Sequence, residues 1–167
     1  MQSVFSLSPT PIANNYAEKP DQNARKYPLE LSQCTRCAHV QQRYVLDGLF
    51  EDYKYVTPKT VETYLKPIAK QLKEKYPKAK LVLEIGSNNG VFLDCLSEAG
   101  FQAVGIDPAS THPLGIKRYF SFAESMNFKA RFDIIVANNV LAHIDDLKDV
   151  FKGMERLLSA DGVIVFE

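Results

Sequence analysis

The sequence predicts an α/β domain built on a parallel sheet, and three stretches predict it. Leu81-Val82-Leu83-Glu84-Ile85 is an apolar run carrying one acid, and it opens into the small-residue loop Gly86-Ser87-Asn88-Asn89-Gly90. Ala103-Val104-Gly105-Ile106 is a second apolar run, closed by Asp107. Phe132-Asp133-Ile134-Ile135-Val136-Ala137 is a nearly continuous β-branched run, the pattern of a strand covered on both faces. A short helical pattern joins the first two runs and makes them a β-α-β unit.

Composition sets the outer limits. At 167 residues the chain holds one domain, or one with a small appendage. Lys and Arg number 20, as do Asp and Glu, so no charge excess argues for a nucleic-acid or anionic-membrane partner. No apolar run approaches the ~20 residues of a membrane span. Met1 to Thr10 has no basic start and no long apolar run, so no signal peptide is read there. Three cysteines, an odd number, argue against a disulfide framework and for a reducing cytoplasm.

Taken in order, residues 1–33 are dense in turn formers such as Pro9, Pro11, Asn14, Pro20 and Pro28, and read as extended or looped chain. Alternation of Tyr27, Leu29 and Leu31 with Glu30 and Ser32 predicts one short strand there. Cys34-Thr35-Arg36-Cys37 follows, and such a turn is half of a tetrahedral zinc site. No second pair exists, so four readings stay open: an incomplete zinc knuckle, a site completed by other ligands, a redox pair, or two buried free thiols. Residues 39–45 alternate loosely and predict a hairpin partner for the preceding strand. Phe50 to Tyr55 mixes aromatics, acids and a base. It reads as a linker that tucks in Phe50 and Tyr55, or as a substrate lip in which tyrosine hydroxyls bind oxygens.

Thr57 followed by Pro58 predicts a helix start, with a capping hydroxyl and then proline at the first position. The domain boundary is placed here, giving 1–57 and 58–167. Val61, Tyr64, Leu65, Ile68 and Leu72 share a helix face, which Pro67 should kink or split. A strand over 80–85, a helix from Gly90 to about Ala99 closed by Gly100, and a strand over 101–106 follow. Cys95 lies on the apolar face of that helix as a core thiol. Pro108 to Gly115 reads as turns with His112 exposed. Tyr119, Phe120 and Phe122 predict a third strand over 116–122. The fourth strand ends in Asn138-Asn139, polar residues at the carboxyl end of a central strand and therefore site candidates. His143 is either a general base or a core histidine. Asp145 or Asp146 caps a helix whose Leu147, Val150, Phe151, Met154, Leu157 and Leu158 form an apolar stripe. Asp161-Gly162 turns into a fifth buried strand over 163–167. A strand of that kind left at the sheet edge predicts a covering partner, self-association, or a chain that is a piece of something longer.

The loop after the first strand carries the ligand chemistry. Gly86 and Gly90 tolerate φ > 0 and let backbone approach a ligand closely. Asp107 lies where such folds place a carboxylate on a ribose diol, about 20 residues beyond the loop. Asn88 stands where a second glycine would admit a pyrophosphate, and Glu84 repels one. Both favour a phosphate-free nucleoside that bears positive charge, such as S-adenosylmethionine, over NAD.

These residues resemble the class I S-adenosylmethionine-dependent methyltransferases. The carriers are 84–90, Gly105-Ile106-Asp107-Pro108 and 137–144. With 11–16, 27–31, 34–37 and 50–55 they are most similar to the sugar C-methyltransferases of deoxysugar biosynthesis, which carry a zinc-binding domain in front. The resemblance implies a Rossmann-like sheet with about five strands present. It implies that Glu84, Gly86, Ser87, Asn88, Gly90 and Asp107 hold the donor. Phe120 or Ser121 would border the adenine, Asn138 or Asn139 would face the methyl group or sugar, and Tyr53 and Tyr55 would touch substrate. Cys34 and Cys37 would form half of a zinc site whose other pair precedes Met1. Further strands and a Glu-His catalytic pair would follow Glu167. The implied reaction is C-methylation of a nucleotide-linked keto-deoxysugar. The competing expectation is a non-catalytic nucleoside-binding remnant or partner subunit.

Overall fold

The structure is a computed structural model that describes residues 1–13, 18–46, 48–51 and 57–167. It divides into two compact units, Met1–Tyr55 and Val56–Glu167.

The first unit is an antiparallel sheet of β1 (Gln2–Thr10), β2 (Tyr27–Gln33) and β3 (Val40–Gln42), in that order. The expected strand at Tyr27 is present and runs on to Gln33, and the expected hairpin partner is β3. The reading of 1–33 as otherwise looped is corrected, because β1 pairs with β2 along its length. All nine residues of β1 are exposed. The strand therefore has no core face, and its Phe5/Leu7 alternation carried too little signal against the prolines.

The second unit is a five-stranded parallel sheet. Its elements are α1 (Glu62–Lys75), β4 (Leu81–Ile85), α2 (Val91–Glu98), β5 (Gln102–Ile106), β6 (Gly115–Ile116), α3 (Phe122–Ser125), β7 (Phe132–Ala137), α4 (Leu147–Leu157) and β8 (Leu158–Phe166). The strand order is β6-β5-β4-β7-β8. The chain winds outward from β4 in one direction and then returns to the other side, so the switch of direction lies between β4 and β7. Ligands of open α/β sheets bind at the carboxyl ends of strands beside such a switch.

Side chains alternate across the sheet and build two cores. Val82, Ile134 and Val136 face α1 and α2, meeting Leu65, Ala69, Leu72, Phe92, Leu93 and Leu96. Leu83, Ile85, Ile106, Ile135 and Ala137 face α4, meeting Val150, Met154 and Leu157. Each such large side chain contributes about 1.5–3 kcal/mol by leaving water. Cys95 is buried as expected, and that burial pushes its thiol pKa up. At the other end of the strands the Asp133 carboxylate accepts the N–H groups of Lys80 (2.7 Å) and Leu81 (3.0 Å), which pins β7 to β4 and holds the carboxyl below its usual range.

Several expectations are corrected. α1 is one helix through Pro67, because Leu65 and Ala69 are held in the core on either side of it. Thr57 does not cap it; a 3-10 turn over Lys59–Val61 leads in, and no side chain caps the α-helix. The third strand is only Gly115–Ile116. Residues 117–121 lead instead into α3, because the Ser121 hydroxyl accepts the Glu124 N–H (2.9 Å) and Asp149 of α4 accepts the Phe122 N–H (2.8 Å). Asp146 caps α4 as read, accepting the Asp149 N–H. Leu147 and Phe151 are exposed, and Phe151 meets Phe166 edge-to-face at 6.1 Å.

Candidate functional site

The loop after β4 bends because three of its residues take left-handed backbone: Gly86 (φ 79°), Asn88 (φ 43°) and Gly90 (φ 83°). The Gly86 N–H donates to the Ile106 carbonyl (2.8 Å) and the Gly90 N–H to the Ser87 carbonyl (2.8 Å). The glycines serve the protein's own packing as well as the bend. A Cβ on Gly86 would lie 2.0 Å from Val140 Cγ2, and one on Gly90 would lie 2.3 Å from the His112 ring. Gly105 similarly makes room for Ser87.

His112 is therefore not the exposed side chain expected. Its Nε2 lies 3.2 Å from Asp94 Oδ1, and its Nδ1 accepts the Leu114 N–H (3.2 Å). With the ring so placed, it roofs the start of α2.

Asp107 joins two loops. Its Oδ2 accepts the Asn88 N–H (3.0 Å) and its Oδ1 accepts the Ala109 N–H (2.6 Å). The bend is thus turned toward the aspartate. Each carboxylate oxygen keeps a further lone pair for a ligand hydroxyl.

Glu84 is 5% exposed on β4. Burial first, and the charge of Asp107 second, push its pKa up to about 8. Its Oε2 has no hydrogen-bond partner. Ser87 Oγ, Asn89 Oδ1 and Ser110 Oγ are in the same state, and these four are all such buried side-chain atoms among the described residues. Every one lies on β4, on the loop after it, or on the loop after β5. Asn89 uses its Nδ2 on the Thr57 carbonyl (3.1 Å). Buried polar atoms are nearly always bonded, so a cluster of orphans marks a place where a ligand completes the network.

The remaining expected site residues among those described lie after β6 and after β7. Phe120 lies beside Gly153 of α4, and the Ser121 hydroxyl caps α3. Asn138 is half-buried at the end of β7, and Asn139 is exposed, left-handed (φ 53°) and bonded to Glu167 (3.1 Å). His143 is exposed in the 3-10 turn Leu141–His143, which corrects its reading as a core histidine. Tyr53 and Tyr55 lie outside the described residues. The fold also brings Val140 and His112 against the glycines of this loop and buries Ser110 beside Gly115, and the sequence reading did not single these three out as site residues. No local pattern marks them, since each matters only through what the fold brings to it.

In the first unit, Cys34 and Cys37 flank a tight turn closed by Cys34 N–H to the His39 carbonyl (2.8 Å) and Ala38 N–H to the Cys34 carbonyl (2.9 Å). Backbone N–H groups of Arg36 and then Cys37 hold the Cys34 thiol below its usual range. That favours a thiolate, the metal-binding form. Two thiols are half of a tetrahedral zinc set, and among the described residues no group of three or more His, Cys, Asp or Glu is gathered to hold a metal. Among the described residues these two thiols do not complete a zinc site, and with Cys34 half-buried and Cys37 exposed the reading of two buried thiols is corrected.

Comparison with known proteins follows the same division. Residues 58–167 match the methyltransferase domain family, and residues 1–48 match a family described as "Putative zinc binding domain". The chain is 28% identical to the C-methyltransferase NovU of Streptomyces niveus over 184 residues, covering 98% of this chain and 44% of that protein. It is 28% identical over 95 residues to a ubiquinone biosynthesis O-methyltransferase of Bradyrhizobium diazoefficiens, covering 50% of this chain and 38% of that protein. The chain thus spans less than half the length of these curated relatives. A solved "putative s-adenosyl-l-methionine-dependent methyltransferase" of Methanococcus maripaludis superposes with a TM-score of 0.50 at 14% identity, covering 65% of this chain and 59% of that one, a likeness of fold. Among the described residues no helix is long and apolar enough to cross a membrane.

Proposed function

We propose that this chain, which belongs to the class I S-adenosylmethionine-dependent methyltransferases, holds the methyl donor at the carboxyl ends of β4, β5 and β7 and serves C-methylation of a nucleotide-linked keto-deoxysugar. The observation that carries the donor site is the cluster of orphaned buried atoms at Glu84, Ser87, Asn89 and Ser110 around the Asp107 clamp. An acid, hydroxyls and an amide oxygen suit a ligand with a ribose diol and a cationic tail, and repel a pyrophosphate. The C-methyltransferase relative, aligned with nearly the whole chain, supports the reaction class.

In this reading Asp107 takes the ribose hydroxyls and Glu84 faces the positive charge. The backbone of Gly86, Ser87, Asn88 and Gly90 shapes the cradle. Asn138 and Asn139 border the side from which substrate approaches, with Tyr53 and Tyr55 as substrate contacts. His143, in solvent just beyond β7, is the candidate base for the proton next to the keto group. The donor, when bound, supplies a methyl group on a sulfonium. Residues 58–167 form the donor domain and 1–57 the zinc-binding-like segment. Calorimetry of the full chain with S-adenosylmethionine and S-adenosylhomocysteine tests the site: binding of either is expected, and a folded sample that binds neither removes the assignment.

A second reading rests on β8. It is the outer strand of the sheet, and its Phe166 is 58% exposed. A donor-binding subunit that meets a partner along that edge would bind the nucleoside yet transfer no methyl group alone. Methyl transfer by the purified chain would dismiss it.

A further inference from the structure

Glu84 and Asp107 are two carboxyl groups on one face of adjacent strands. Glu84 pairs in register with Gly105, and Asp107 follows two residues later, so the two side chains point to the same side. Asp107 has its carboxylate fixed by two backbone N–H groups. Glu84 is 5% exposed and its Oε2 has nothing to bond. Among the described residues, the elements packed around it bring no cation. β7 presents Val136 in register, α2 covers this face with Phe92 and Leu93, and α1 covers it with Leu65 and Ala69. Asp94 and His112 are engaged with each other. A buried carboxyl beside a fixed carboxylate, with no cation among the described residues facing it, keeps its proton until positive charge arrives.

We propose that Glu84 is the proton-linked counter-charge of the donor site: neutral in the free protein, it ionises when a cationic ligand enters, and its proton passes to solvent. This rests on the donor-site reading above. No covalent bond forms or breaks except the carboxyl O–H, and the carboxylate produced pairs with the ligand's positive charge. The raised pKa of Glu84 agrees with this. The shared chemistry is a cation, and the donor carries two, an ammonium and the sulfonium.

The test is calorimetry of the full chain in buffers of different ionisation enthalpy, which counts protons exchanged on binding. Three ligands are compared: S-adenosylmethionine, S-adenosylhomocysteine and 5′-methylthioadenosine, which has neither charge. Close to one proton is expected to be released with S-adenosylmethionine at pH 7, and affinity should rise about tenfold from pH 6 to pH 7. Release with both charged ligands assigns the contact to the ammonium; release with S-adenosylmethionine alone assigns it to the sulfonium. Glu84→Gln should bind S-adenosylmethionine more weakly at pH 8, release no proton and show no such rise with pH. Binding without proton release by the unaltered chain overturns the proposal and leaves the donor site standing. Absence of binding overturns both.

Discussion

At the end of β4 the structure buries Ser87 Oγ and Asn89 Oδ1 without partners. One strand over, at the end of β7, it holds Asn139 and His143 out in solvent and bonds Asn139 to Glu167. The two loops leave one sheet from adjacent strands. The difference teaches which of them is built for a tightly enclosed ligand. A buried group without a partner costs about 1–3 kcal/mol until something bonds it, while an exposed one is satisfied by water and loses little. The β4 side therefore has unsatisfied binding capacity. The β7 side has its polar groups met by solvent and by Glu167.

The contrast breaks most severely at Gly86. Gly86→Ala forces an L side chain into left-handed backbone and drives its Cβ into Val140. A loss of about 2–4 kcal/mol is expected in urea unfolding, partly restored by adding Val140→Ala. If Gly86→Ala is as stable as the parent, the loop is not packed as described.

A pH series sharpens the β4 side. From the ordinary carboxylate range near 4.5 up to about 8, an unfolded Glu84 gives up its proton while the folded one keeps it. Stability should therefore fall with rising pH in that window, by at most about 1.4 kcal/mol per pH unit from this group, and Glu84→Gln should flatten the fall. Urea midpoints at pH 6, 7 and 8 read it directly. A Glu84→Gln slope equal to that of the parent removes the buried neutral carboxyl from the account.

Asp107→Ala should weaken donor binding by about 10- to 100-fold, since a buried diol loses its acceptors and the loops lose their clamp. Calorimetry on folded protein decides, and unchanged affinity argues against the ribose role. Ser87→Ala should do the reverse to the free protein: removing a hydroxyl that has no partner should stabilise it by up to about 1 kcal/mol while weakening ligand binding. Destabilisation would show that the hydroxyl is bonded after all. Asn139→Gly is the mildest. Glycine accepts the left-handed backbone, and the exposed bond to Glu167 should be worth less than about 0.5 kcal/mol in thermal unfolding.

How much of this could be read from residues alone follows the same line between buried and exposed. β7 begins and ends where its apolar run does, since a strand covered on both faces leaves an unbroken signature. Gly100 closes the helix from Gly90 as read, at φ 87°. β1 left no such mark, because a strand exposed at every position has no inward face to pattern. The aromatics at Tyr119, Phe120 and Phe122 misled for another reason. Strand propensity is weak, and a cap from Ser121 with an acceptor from α4 outweighs it. In the candidate site, Glu84, Gly86 and Asp107 stood out in the sequence because acid and glycine at strand ends are scarce, and the fold puts all three at the ends of β4 and β5. Ser110 and His112 did not. Their importance comes from the space above Gly90 and Gly115, which only the folded chain defines.

The bridge that Asp107 makes between the amides of Asn88 and Ala109 has one more consequence. A recess held open by its own carboxylate does not wait for an occupant to organise it. Loading should then leave main-chain order almost untouched, the amide protons of those two residues should already exchange slowly in the empty protein, and recognition should be governed by complementarity of charge rather than by closure of a lid.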